Sequence, residues 1–86
     1  MTIKLHKNFI KQFDKLPAKN QKQAKERLKT FLINHHDPSL NNHPLKGRYL
    51  NYRSINLSSD LRAVYRYLDE DQCIFVLLGT HSALYS

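Results

Sequence analysis

The chain has little of what many small domains rely on: one cysteine, two glycines, three prolines and no tryptophan among 86 residues. A lone Cys73 rules out an intramolecular disulfide and a structural metal site of the cysteine type. Set within Cys73-Ile74-Phe75-Val76-Leu77-Leu78, it reads as a small buried hydrophobe. That stretch of six is the longest apolar run, far short of the ~20 residues that span a bilayer. Met1 to Leu16 carries four lysines and no continuous apolar segment, so no secretory signal is expected and the reading is cytoplasmic, with no membrane partner. A chain this short buries only about 60% of its unfolded surface. Residues 1–86 are accordingly read as a single domain with one small core, one shallow site and no cofactor.

Acidic residues are also scarce. Seven Asp and Glu face fourteen Lys and Arg, a net charge of +7 and a pI near 9.8. Such an excess suits a polyanionic partner, nucleic acid or an acidic protein, because basic groups release counterions from a phosphate backbone and steer association. The plainer alternative is a soluble basic domain.

Hydrophobic spacing gives the order of elements. Thr2-Ile3-Lys4-Leu5 alternates and predicts a short strand whose partners lie later in sequence. Phe9, Ile10, Phe13 and Leu16 form one helical stripe ended by Pro17. Ala18 to Asn34 repeats the pattern with Ala24, Leu28, Phe31 and Leu32, opposite a strongly cationic face. Asn34 to Asn42 has no period and reads as a loop. Tyr49–Leu57, Leu61–Leu68 and Gln72–Leu78 are β-forming runs separated by the turn clusters Ser58-Ser59-Asp60 and Asp69-Glu70-Asp71. The expected fold is α+β: two N-terminal helices on one face of a small, mainly antiparallel twisted sheet, in the order β-α-α-β-β-β.

Strand parity then distributes the charges. Ala63, Tyr65 and Tyr67 alternate with Arg62, Val64 and Arg66. If the helices cover the tyrosine face, Arg62 and Arg66 share the open one, with Arg53 expected to join them. Ordinary solvated charges would look the same on an exposed sheet face, which is the preferred reading for Arg66. Arg62, just past the Asp60 turn, is read as functional.

The candidate functional residues are concentrated in positions 43–85. His43-Pro44-Leu45-Lys46-Gly47, Tyr52-Arg53-Ser54-Ile55, Asp60-Leu61-Arg62-Ala63-Val64-Tyr65, Gly79-Thr80-His81 and Leu84-Tyr85 together resemble the toxins of the RelE/ParE superfamily, and within it the YafQ-like branch. The resemblance implies a RelE-like fold and a type II toxin: a ribosome-dependent endoribonuclease acting on mRNA, held inactive in a hetero-oligomer with a cognate acidic antitoxin. By position, His43 matches the first histidine of the YafQ-like pattern, Asp60 its aspartate, His81 the histidine after Gly-Thr, and Tyr85 the terminal aromatic. Arg62 matches the strand arginine of RelE-like members. Asn56, Leu61 and Leu77 depart from the pattern, standing where a second histidine, a tryptophan and an arginine are usual.

The required chemistry is modest. The 2′-hydroxyl of RNA can attack the adjacent phosphorus if a base accepts its proton, a cation meets the phosphorane charge and an acid protonates the leaving 5′-oxygen; no metal is needed. His81 is the first choice for acid or base, since histidine holds both protonation states near neutrality. His43 is the second, Asp60 orients His81 or acts as base, Arg62 clamps phosphate, and Tyr85 stacks a base or donates a proton. Lys46, Arg48, Arg53 and Arg66 are expected to bind RNA. Taken singly, Asp60 is a turn aspartate and His6, His35 and His36 are loop residues; Gly47 and Gly79 serve the backbone. A ParE-like inhibitor of DNA gyrase, or a binding module without catalysis, would use the same fold.

Overall fold

In the computed structural model, residues 1–85 are described. They run in the order β1 (Thr2–Leu5), α1 (Lys7–Asp14), α2 (Ala18–Ile33), β2 (His43–Pro44), β3 (Arg53–Asn56), β4 (Leu61–Asp69), β5 (Gln72–Thr80) and α3 (His81–Tyr85). The sheet order is β1-β5-β4-β3-β2. β1 lies parallel to β5, from Thr2 beside Gln72 to Leu5 beside Phe75, and the other pairings are antiparallel. The α+β architecture expected from sequence is therefore what forms, with two additions: the two-residue edge strand β2 and the C-terminal helix α3.

Local chemistry explains the helix ends. His6 caps α1, its Nδ1 accepting the Asn8 N–H at 3.1 Å. Pro17 disfavours helical backbone at Leu16, so α1 stops, and the Pro17 carbonyl then accepts from Asn20 and Gln21 to start α2. Tyr49–Tyr52 does not begin a strand as expected. Gly47 and Asn51 both take left-handed backbone, φ 64° and 73°, which coils this stretch into a turn and delays β3 to Arg53.

α1 and α2 cover the Ala63/Tyr65 face. The core there is aromatic: Phe31 packs edge-on to Tyr65 and Phe75 with ring centroids 5.0 and 5.4 Å apart, and Phe9 meets Phe75 at 5.8 Å. Ile10 and Leu32, expected on the buried stripes, are exposed. Each follows a fully buried neighbour, Phe9 or Phe31, and one residue along a helix rotates the side chain by about 100°. Cys73 is buried as expected, and burial pushes its thiol up to about 11.

The sheet is finished by a side chain where β1 runs out. β1 ends opposite Phe75, so Leu78 N–H has no strand to meet, and the Gln12 Oε1 of α1 accepts it at 2.7 Å. Gln12→Leu keeps the bulk but orphans that buried amide. The expected loss is about 1–3 kcal/mol in urea denaturation.

Asn42 ties the 34–42 connection to the sheet. Its Nδ2 donates to the His35 carbonyl at 2.8 Å and to the Tyr65 hydroxyl at 2.7 Å, while Arg53 Nε donates to its Oδ1 at 2.9 Å. The same connection lays His35 flat on Phe31, centroids 4.6 Å apart and planes at 15°. Burial, helped by the adjacent His36 charge, lowers the His35 pKa below its ordinary 6.5. The neutral ring is the form that folds, so its contribution is full above pH 6.5 and is lost as the pH falls towards the depressed value. His35→Gln should flatten the decline in stability between pH 7 and 5 measured by urea titration of both proteins.

Candidate active site on the open sheet face

The face away from α1 and α2 is read from the cross-strand pairs. His43, Ser54, Val64 and Leu77 form one row; Asn56, Arg62 and Gly79 form the next. α3 lies on this face. Gly79 makes that close approach possible, because a Cβ at this position would meet Leu84 Cδ2 and Cγ at 3.4 Å. The His81 N–H bonds the Asp60 carbonyl at 3.3 Å, which fixes the start of α3 to the β3–β4 turn.

Three of the expected catalytic residues, His43, His81 and Tyr85, are linked here. Tyr85 is the link: its hydroxyl donates to Ser54 Oγ at 2.9 Å and its ring packs edge-on to His81, centroids 4.9 Å apart. Ser54 is fully buried and pairs directly with His43 in the sheet. His43 Nδ1 lies 2.8 Å from the Asn41 carbonyl. A carbonyl only accepts, so the proton sits on Nδ1 and the neutral ring presents a bare Nε2 lone pair. His81 itself is exposed.

Two arginines behave differently from the sequence reading. Arg62 shares the open face, but its terminal nitrogens donate to the carbonyls of Ser58, Ser59 and Leu61 at 3.1 to 3.3 Å, folding the guanidinium back over its own turn. Arg53 does not join Arg62. It has the parity of the buried Ile55 and Leu57, pairs with Tyr65 and bonds Asn42 on the helix side of the sheet. Arg66 is exposed on the open face, and Lys46 and Arg48 are exposed on the β2–β3 connection. Asp60 lines a separate groove between α2 and the β3–β4 turn, together with Lys19, Glu26 and Arg27.

Sequence reasoning gave no role to Ser54 or Tyr49. Tyr49 donates to the Leu84 carbonyl at 3.3 Å and packs edge-on to Tyr85 at 6.1 Å, so it braces α3 from the other side. Its signal was the interleaving of Tyr49 and Tyr52 with Lys46, Arg48 and Arg53, a pattern suited to stacking and charge together. Asn56 faces Arg62 across the strands, and its Oδ1 is buried without a hydrogen-bond partner among the described residues. No helix of the described residues is long and apolar enough to cross a membrane.

Comparisons with known proteins bear on the family and the fold. The family model described as a bacterial toxin of type II toxin-antitoxin system, YafQ, matches residues 1–86. Among solved structures, YafQ in the DinJ-YafQ complex from E. coli is 26% identical, with a TM-score of 0.67 over 99% of this chain and 98% of that one. A copper-bound mutant toxin from Helicobacter pylori is also 26% identical, with a TM-score of 0.72 over 99% of each chain. The RelB-RelE antitoxin-toxin complex from Methanococcus jannaschii has a chain of the same fold, 20% identical, TM-score 0.72, covering 95% of this chain and 94% of that one. No sequence among curated proteins matches significantly.

Proposed function

The chain belongs to the YafQ family of bacterial toxins of type II toxin-antitoxin systems, and we propose that it is an endoribonuclease that cuts mRNA on the ribosome by metal-independent acid–base chemistry. The observation that carries the reading is the Tyr85 bridge, which holds His81 on one side and Ser54, the strand partner of His43, on the other. Two imidazoles with different hydrogen-bonding states stand on either side of the Tyr85–Ser54 bridge. His43, with its Nδ1 proton given to Asn41, is the base that takes the 2′-hydroxyl proton on Nε2. His81, exposed, is the acid that protonates the 5′-oxygen as that bond breaks and the cyclic phosphate forms.

The other roles follow. Asp60 positions His81 through its main-chain carbonyl. Arg62 is the cation nearest the turn; it stabilises the phosphorane once the guanidinium swings from the Ser58 and Ser59 carbonyls to phosphate oxygens. Tyr85 has its hydroxyl committed to Ser54, so its part is to hold His81 and offer a ring for stacking. Lys46, Arg48 and Arg66 bind the message backbone, and Arg53 supports them from behind by anchoring Asn42. The partner that restrains the toxin is an acidic antitoxin, as the DinJ-YafQ and RelB-RelE complexes suggest. Its charge would complement the +7 of this chain.

The test is primer extension on a reporter mRNA translated in vitro, with and without ribosomes. Cuts within codons that need both protein and ribosome are expected. A second reading, a gyrase inhibitor or plain binding module, draws on Leu77 and Asn56 where the family pattern has arginine and histidine. Intact message with continuing growth arrest and blocked replication would favour it.

A further inference from the structure

A cleft of about 370 Å³ opens on the same sheet face, joined to Tyr85 through the Tyr49 ring, and beyond the message-backbone contacts given to Arg48 and Arg66 it has no assigned occupant. Its walls include His6, Arg48, Tyr49, Tyr52, Arg66 and Leu77. We infer that it is the binding site for one unpaired RNA nucleotide flanking the scissile phosphate; this rests on the nuclease reading.

Four features point to that ligand. No carboxylate lines the cleft, while two arginines do, so its charge suits a phosphodiester. Its volume lies at the small end of the ~300–1,000 Å³ typical of ligand pockets, enough for a nucleotide and too little for a duplex. Its floor is apolar: β4 and β5 slip register after Val64 and Leu77, leaving Val76 as an extra residue, and Ile74, Val76 and Leu77 all reach the cleft. An arginine at Leu77 would fill this floor with charge; instead the cations stand at the rim, on Arg48 and Arg66. Finally, the aromatic wall is fixed. Arg48 Cζ sits 5.2 Å from the Tyr49 ring centre, and Tyr49 packs edge-on to Tyr52 at 6.5 Å.

Tyr49 also gives the direction of the strand. It touches Tyr52 within the cleft and Tyr85 outside it, so an RNA whose phosphate lies at His81 has its next base beside Tyr52. Stacking on tyrosine is tolerant of base identity. His6 adds a donor capable of reading an edge. Its Nδ1 accepts from Asn8, so the neutral ring carries its proton on Nε2.

Binding can be separated from cleavage with a fluorescent 2′-O-methyl hexanucleotide, which has no nucleophile, followed by anisotropy. Tyr52→Ala should weaken binding about 5- to 150-fold, the range for one lost stack, while Tyr52→Phe restores most of it. Arg66→Gln, at an exposed position that cannot disturb the core, should lower the slope of log K against log salt by about 0.7. Lys15→Gln, at the far end of α1, serves as the control, with binding near that of wild type. Wild-type binding that is absent, or that the Tyr52→Ala and Arg66→Gln variants leave unchanged, overturns the subsite. Oligonucleotide binding with the expected losses, but no cleavage of message on ribosomes, overturns the nuclease reading and leaves the cleft standing.

Discussion

His81→Ala is expected to lower the rate of message cleavage by about 10²–10⁴-fold, the usual contribution of a positioned acid or base. The fold should hardly notice. The imidazole is exposed, and its main packing partner is the Tyr85 ring, an edge contact of about 0.5–1.5 kcal/mol at most. The backbone N–H that anchors α3 to Asp60 is retained in alanine. Single-turnover cleavage of ribosome-bound mRNA, read beside a urea melt of the same protein, separates the two effects. His43→Ala should remove the other limb of the pH–rate profile, because the two rings are assigned opposite proton states. A His81→Ala enzyme within a few-fold of wild type would take proton transfer away from this residue.

The Tyr85 hydroxyl gives that experiment its companion. Tyr85→Phe leaves the ring against His81 but deprives buried Ser54 of its donor, so any loss of rate reports on the placement of α3 rather than on stacking. Serine in this row is significant for the same reason: between His43 and Val64, a residue with no hydroxyl would let α3 drift from the sheet. Packing on both faces thus meets on β3, whose Ile55 fills the core while its neighbour Ser54 holds α3.

Much of this was legible in the sequence because strands keep parity. Arg62, Val64 and Arg66 had to oppose the buried Ala63 and Tyr65, and they do. The same rule already contained the answer for Arg53, which alternates with Ile55 and Leu57 and so belongs to the helix side; placing it beside Arg62 would need a one-residue slip. Other features had no local signal. α3 is five residues long and depends on Gly79, Leu84 and the Ser54 hydroxyl for its place, all tertiary contacts. The Tyr49–Tyr52 turn looked like strand because tyrosines favour strands, and the left-handed backbone at Gly47 and Asn51 overrode that preference. Arg62 was expected to face solvent or substrate, but the turn after β3 exposes carbonyls within reach, and a guanidinium has donors enough to satisfy several at once.

Phe31→Ala should be the most damaging single truncation in the core. Phe31 is fully buried and stands at the junction of Tyr65, Phe75 and His35. Phenylalanine-to-alanine changes in such sites cost about 3–5 kcal/mol, against a total of about 5–15 kcal/mol for a domain. The melting temperature should fall by roughly 12–40 °C, and Phe31→Leu should recover more than half of it. Because His35 owes its depressed pKa first to burial against this ring, the pH dependence of stability between pH 7 and 5 should shrink in the same variant. The damage crosses the sheet as well. β4 carries Tyr65 on the core side and Arg62, Val64 and Arg66 on the open side, so a cavity beneath Tyr65 loosens the strand on which the nucleotide cleft and the Arg62 turn are built. Urea denaturation by circular dichroism gives the first number and hexanucleotide affinity the second. A cost under about 1.5 kcal/mol would mean that the aromatic cluster closes over the gap, and the core would then be set by Phe9 and Phe75 instead.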